Sequence, residues 1–238
     1  MERVTGMALW RQIETELAGE IQAGLLRPGD RLPTESELAA RFQVNRHTVR
    51  RAVAALQESG VVRVEQGRGT FVQEDVVDYQ VGKRTRFSEN IVTLNRHPGG
   101  RLLRALEIPA DGEAARNLGV RRGTRLILIE HLREVDERPI SVSTHYFVKQ
   151  RCDGLIEAYR ECGSITQALF RVGIKDYLRD VTRVTARLPD ADDARLLQQP
   201  RTQPVLVSEG VNVDLQQRPI EYALGRFSGQ RVQFVFRP

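Results

Sequence analysis

Arg41, Arg46, Arg50 and Arg51 fall between Leu38 and Gln57, and no acidic residue lies in that stretch. A guanidinium is a planar, permanently charged fork, so such a run suits phosphate oxygens and the edge of guanine. A second set lies farther along. Ile129, His131 and Arg133 alternate in one run, and Ser141, Ser143 and His145 in the next. Alternate residues of a strand share a face, so an arginine, two histidines and two serines would converge on one side of a sheet, a chemistry suited to a small anion. Taken singly, each has a plain structural reading of equal weight: a satisfied core histidine, or an arginine in a salt bridge.

The elements that must position the first set are legible. Trp10, Ile13, Leu17 and Ile21 recur at helical spacing, and Gly24 lies where that helix would end. Thr34 and Glu37 form a T-x-x-E capping box at the start of a short second helix with Leu38 and Phe42 on its apolar face. Asn45 can cap a third helix whose inner face is Val49, Ala52, Val53 and Leu56, closed by Gly60. At about 100° per residue, His47, Arg50, Arg51 and Ala54 point away from that face, and Arg46 occupies the exposed first turn. Two valine-rich runs around Gln66, Gly67, Arg68 and Gly69 then read as a hairpin. Three helices and a hairpin make a winged helix-turn-helix, whose third helix would enter the major groove of DNA.

These same residues carry a resemblance. Leu32-Pro33-Thr34-Glu35-Ser36-Glu37-Leu38-Ala39, Val44 to Ala52, and Gly67 to Val72 resemble the DNA-binding domain of the GntR family of bacterial transcription regulators. The resemblance implies DNA contacts from Ser36, Asn45, Arg46, His47, Thr48, Arg50, Gln66, Gly67 and Arg68. Many members have Arg where Ser36 stands. Arg46 and Arg50 are chosen for guanine edges or phosphates, Thr48 and the Gly67 N–H for phosphates, while Arg51 is open to pairing with an acidic neighbour.

Composition narrows the classes. Of 36 basic residues only Lys83, Lys149 and Lys175 are lysines, and with 31 acidic residues the chain carries a formal +5. At 40% hydrophobic and 28% charged it is globular rather than disordered. No apolar run reaches the roughly 18 residues of a membrane span, and Glu2 and Arg3 open no secretory signal, so a cytoplasmic protein without a membrane partner is expected. Cys152 and Cys162 show no metal-ligand or disulfide spacing, and no cofactor or metal is expected.

The expected domains are a DNA-binding domain at 1–73, a linker at 74–84 without helical period, and a second domain at 85–238. Within the last, a short helix from Asp111 to Leu118, a strand from Arg125 to Val135 and a return strand from Ile140 to Phe147 are followed by the same order. The second copy runs through Asp190–Leu197, Pro204–Val213 and Ile220–Phe227, with Arg-Pro-Ile opening both returns. A further helix, capped at Ser164 and stopped at Gly173, lies between the copies. The duplication predicts an α+β domain with an antiparallel sheet.

This arrangement resembles the effector domain (UTRA) of the HutC subgroup of the same family, and within it the phosphonate-utilisation regulators. The resemblance implies a chorismate-lyase-like α+β fold, a homodimer, a double-stranded operator with two half-sites, and a small anionic effector such as a phosphonate or phosphate ester, most often with repression relieved by ligand. The pocket it implies comprises Phe87, Ser88, His131, Arg133, Ser143, His145, Ser164, Thr166, Glu221 and Phe227. An enzyme is the rival class, but the sequence contains no nucleophile elbow, metal-ligand cluster or phosphate loop, and fold alone confers no chemistry. A ligand-independent DNA-binding protein is the other.

Overall fold

The computed structural model describes residues 6–73, 76–84 and 86–237; of Ser88 it describes the backbone only. Glu2 and Arg3 lie outside the described residues. The chain divides into two compact units, Met1–Asp75 and Val76–Pro238.

In the first unit, helix α1 spans Leu9–Gln22, α2 Glu35–Phe42 and α3 Arg46–Glu58, followed by strands β1 (Val62–Glu65) and β2 (Gly69–Val72). Thr34 accepts the Glu37 N–H while the Glu37 carboxylate takes the Thr34 N–H, so the capping box closes in both directions. Gln43 takes a left-handed conformation at φ 53°, which turns the chain within three residues from α2 into α3. Ile13, Leu17, Leu38, Val49, Leu56, Val62 and Val72 meet in one buried cluster. The hairpin pairs Val62 with Val72 and Glu65 with Gly69, and Arg31 bridges to Phe71.

The second unit holds a six-stranded antiparallel sheet. Its strands are β4 (Pro98–Pro109), β5 (Arg125–Val135), β6 (Arg138–Val148), β7 (Leu178–Arg187), β8 (Val205–Val213) and β9 (Pro219–Ser228), in the spatial order β4-β5-β6-β9-β8-β7. Helix α5 (Gly112–Leu118) follows β4 and α8 (Ala191–Leu196) follows β7, each capped by an aspartate, Asp111 or Asp190. The repeat is therefore strand-helix-strand-strand, one strand longer than the sequence shows. The extra strands β4 and β7 are the sheet edges, where little side-chain burial leaves little hydrophobic pattern. Helix α6 (Leu155–Cys162), also unforeseen, and α7 (Ile165–Arg171) pack on one face.

The stretch 74–84 is not simply a linker. Val77–Val81 forms strand β3, parallel to β10 (Val232–Phe236), and Val77 and Tyr79 are buried against Phe227 and Val232. The period of two in Val77, Tyr79 and Val81 carries this strand. Helix α4 (Phe87–Thr93) follows it.

The α6–α7 face of the sheet is apolar around Ile127, Ile129, Phe147, Leu155 and Leu169, and becomes polar at its other end. Phe147, fully buried at the centre of this cluster, anchors that face. Phe147→Ala is expected to cost about 3–5 kcal/mol through lost contacts and the cavity left behind. Chemical denaturation followed by far-ultraviolet circular dichroism checks this.

Candidate functional site

On the first unit, the sequence-derived DNA residues lie at the starts of α2 and α3 and on the hairpin tip. Arg46 and His47 are exposed in the first turn of α3, Ser36 is exposed at the start of α2, and Gln66, Gly67 and Arg68 form the hairpin tip. Gly67 at φ +74° permits the tight turn that presents the tip. Arg46 has no ion-pair partner among the described residues, whereas Arg50 does: its Nε and Nη2 donate to the two carboxylate oxygens of Glu35 at 3.1 and 2.8 Å. Asn45 is committed as the cap, accepting the Thr48 N–H at 2.9 Å and the Thr48 hydroxyl at 3.0 Å. Arg51 pairs with no carboxylate among the described residues; its guanidinium lies 4.6 Å from the centre of the Trp10 ring. Arg68 is bonded to Glu65. Arg46 is thus the strongest cationic candidate of the recognition helix.

On the second unit, nine of the ten residues expected to form a pocket line one cavity of about 200 Å³. The tenth is Ser88, whose side chain lies outside the described residues. Sheet register explains the gathering: His131 lies opposite Ser143 and Arg133 opposite Ser141, so β5 and β6 present them to one face. Glu221 and Phe227 come from β9, Phe87 from α4, and Ser164 and Thr166 from the start of α7. Ser141, which the strand alternation places on this face, lines the cavity as well, whereas sequence reasoning missed Tyr79, Arg86, Tyr177, Arg179 and Asn212. Arg179, Asn212 and Glu221 form one row across β7, β8 and β9, a signal readable only once the strand pairing is known.

Glu221 is the fixed anion of the floor. One carboxylate oxygen is bonded to His145 Nδ1 and the other to Asn212 Nδ2. Burial pushes its carboxyl up, but these bonds and the charges of His145 and Arg179 outweigh it and hold the group below its ordinary value, so it is ionised. Burial drives His131 well below 6.5, helped by His145 and Arg133, so it is neutral. Its Nδ1 lies 3.0 Å from the Tyr159 hydroxyl. Arg133 stacks 5.1 Å from the centre of Phe87, makes one long bond to the Gly163 carbonyl at 3.4 Å, and is lowered in pKa by burial while remaining a cation.

Six buried polar atoms, Arg86 Nε, Arg133 Nε, Ser141 Oγ, His145 Nε2, Arg179 Nε and Thr182 Oγ1, have no hydrogen-bond partner among the described residues. All six belong to residues lining this cavity or a smaller lobe beside it. Among the described residues only Gln199 Oε1 shares that condition elsewhere. Buried polar groups are normally paired, so such a concentration at one place marks a binding surface. Ser164 accepts the Gln167 N–H as the cap of α7; that helix has only seven residues, so its dipole adds little beside the arginines. Among the described residues no group of three or more His, Cys, Asp or Glu could hold a metal, and no helix is long and apolar enough to cross a membrane.

A winged helix-turn-helix in the first unit and a polar cavity in the second are the parts of a DNA-binding regulator. Comparison with known proteins agrees. Residues 9–72 match the bacterial regulatory proteins of the gntR family, and residues 93–233 match the UTRA domain. The chain is 41% identical to an "Uncharacterized HTH-type transcriptional regulator" of Rhizobium meliloti (strain 1021), over 98% of this chain and 96% of that one. It is 32% identical to the "Probable transcriptional regulator PhnF" of Escherichia coli (strain K12), over 95% and 93%. The crystal structure of PhnF from Mycobacterium smegmatis superposes with a TM-score of 0.64 at 26% identity, covering 97% of this chain and 99% of that one. The chain belongs to the gntR family of bacterial regulatory proteins, with a UTRA domain following its winged helix.

The neutral, buried His131 has a measurable consequence. The unfolded chain takes up a proton near 6.5 that the folded chain refuses, so stability is complete above 6.5 and falls as pH drops below it. The slope from this one group is at most about 1.4 kcal/mol per pH unit. Glu221 titrates below its ordinary range and so adds nothing to this window. Thermal denaturation between pH 7 and about 5 is expected to show a decline that His131→Gln reduces.

Proposed function

We propose that this protein is a homodimeric, cytoplasmic repressor that binds a double-stranded operator through two half-sites, one per winged helix, and releases it when a small phosphonate, phosphate ester or related anion enters the second unit. The observation that carries the effector reading is the set of unpartnered buried donors around Arg133 and Arg179. An acceptor-rich anion satisfies such donors, and the two guanidiniums supply the charge. On this reading the effector is bound without being turned over, in keeping with relatives that are named transcriptional regulators.

Ligand control requires that the effector bind two arrangements of the dimer with different affinity. Chain continuity offers a route. Tyr79, a wall of the cavity, lies four residues after Asp75, where the DNA-binding unit ends. It packs against Phe87, Phe227 and Phe234 at centroid distances of 6.4, 5.3 and 5.8 Å. An anion that reorders this aromatic cluster acts on the strand leading out of the winged helix.

The test of the DNA reading uses duplexes selected by the full chain from a random pool. Fluorescence anisotropy at fixed salt is expected to show Arg46→Ala weakening binding by about 1–3 kcal/mol, roughly 5- to 150-fold. Arg50→Ala is expected to cost less, because that guanidinium already has Glu35 as a partner. Unchanged affinity in Arg46→Ala would remove the recognition-helix assignment. For the effector, inorganic phosphate and simple phosphonates are expected to raise the melting temperature of the wild type and to raise that of Arg133→Gln much less.

A further inference from the structure

Beside the main cavity lies a smaller lobe of about 60 Å³, sharing Tyr79, Ser143, His145, Arg179 and Phe227 with it and closed by Val81, Thr182, Ser208, Ala223 and Gly225. Two glycines make room for it. A Cβ on Gly210 would lie 1.6 Å from Arg179 Nη1, so only glycine lets this guanidinium lie flat on the sheet. A Cβ on Gly225 would lie 2.5 Å from the Phe227 ring. The space is therefore cleared from both β8 and β9.

The chemistry of the lobe is one-sided. Arg179 Nε and Thr182 Oγ1 are buried without hydrogen-bond partners. Arg179 has no ion pair among the described residues, and Glu221, whose carboxylate feels its charge, already serves His145 and Asn212. The hydroxyls of Ser143 and Ser208 add donors that can rotate to suit a guest. Arginine, hydroxyls and the edge of His145 around a space of a few atoms, walled otherwise by Tyr79, Phe227, Val81 and Ala223, suit a small, flat group rich in hydrogen-bond acceptors.

We infer that the smaller lobe is a carboxylate subsite, so that the effector has two acidic ends: a phosphonate or phosphate at Arg133 and a carboxylate at Arg179 and Thr182. The inference rests on the anion-binding reading above and narrows it from a singly headed anion to a phosphonocarboxylate or phosphocarboxylate. Arginine recognises a carboxylate through paired N–H donors, and Nε is one of them here. Discrimination follows from the same feature: a ligand without the carboxylate leaves the buried Nε and hydroxyl unpaired, which costs more than a lost surface contact.

The test is calorimetric titration of the full-length protein with methylphosphonate, phosphonoacetate, phosphonopropionate and phosphonobutyrate. At least one carboxylate-bearing compound is expected to bind about tenfold or more tightly than methylphosphonate. Arg179→Gln is expected to bring that ratio close to one, and Thr182→Val to reduce it. The wild-type comparison needs no variant, and Thr182→Val keeps the subsite testable should Arg179→Gln fail to fold. If no carboxylate-bearing compound binds more tightly than methylphosphonate, or the preference survives both substitutions, the subsite is wrong while the anion reading stands. If neither methylphosphonate nor any other of the compounds binds, both are overturned.

Discussion

A buried N–H of a guanidinium must find a partner, and in the second unit the Nε groups of Arg133 and Arg179 have none among the described residues. Arg133 faces an aromatic ring and one distant carbonyl; Arg179 lies over a glycine. Leaving a buried donor unpaired costs about 1–3 kcal/mol, more where the group is charged. The rest of the unit supports this arrangement: a duplicated sheet firm enough to hold the cations, an apolar cluster around Phe147 at one end of the face, and Glu221 as an ionised but fully engaged floor. The cost is recovered when an anion enters, which is how a binding site stores affinity in its empty form.

The ionic groups of the opposite face show the contrast. There Arg226 meets Asp193 at 2.8 Å, Glu130 at 3.2 Å and the Thr144 hydroxyl at 3.1 Å, and Arg104 meets Glu130 at 2.9 Å. Those arginines have their partners within the chain and act as structure. The two faces of one sheet thus separate satisfied from unsatisfied cations, and this distinction, rather than the net charge of +5, is what supports the proposed effector site.

Much of this was legible beforehand because local rules were obeyed. The capping box at Thr34, the Asn45 cap, the inward Val49, Ala52, Val53 and Leu56, and the alternation of His131 with Arg133 and of Ser143 with His145 all depend on neighbours within a few residues. What escaped depends on long-range pairing. The edge strands β4 and β7 bury too few side chains to show a pattern, and β3 exists only because β10 runs beside it. Arg50 and Arg51 point outward as expected, yet only the packing of α2 and α1 against α3 assigns the first to Glu35 and the second to Trp10. Arg179 and Asn212 join Glu221 through strand register, which no short sequence window contains.

The central claim is that an anion in the donor-rich cavity and an operator on the winged helix are linked through one conformational equilibrium. Linkage is reciprocal: the factor by which anion weakens operator binding equals the factor by which operator weakens anion binding. Measuring both affinities of the full-length protein at constant ionic strength, with the tightest-binding phosphonate or phosphate, tests this most directly. The account predicts equal factors, in the range of about 5 to 150, both lost in Arg133→Gln. Operator affinity that is the same with and without saturating anion would contradict it.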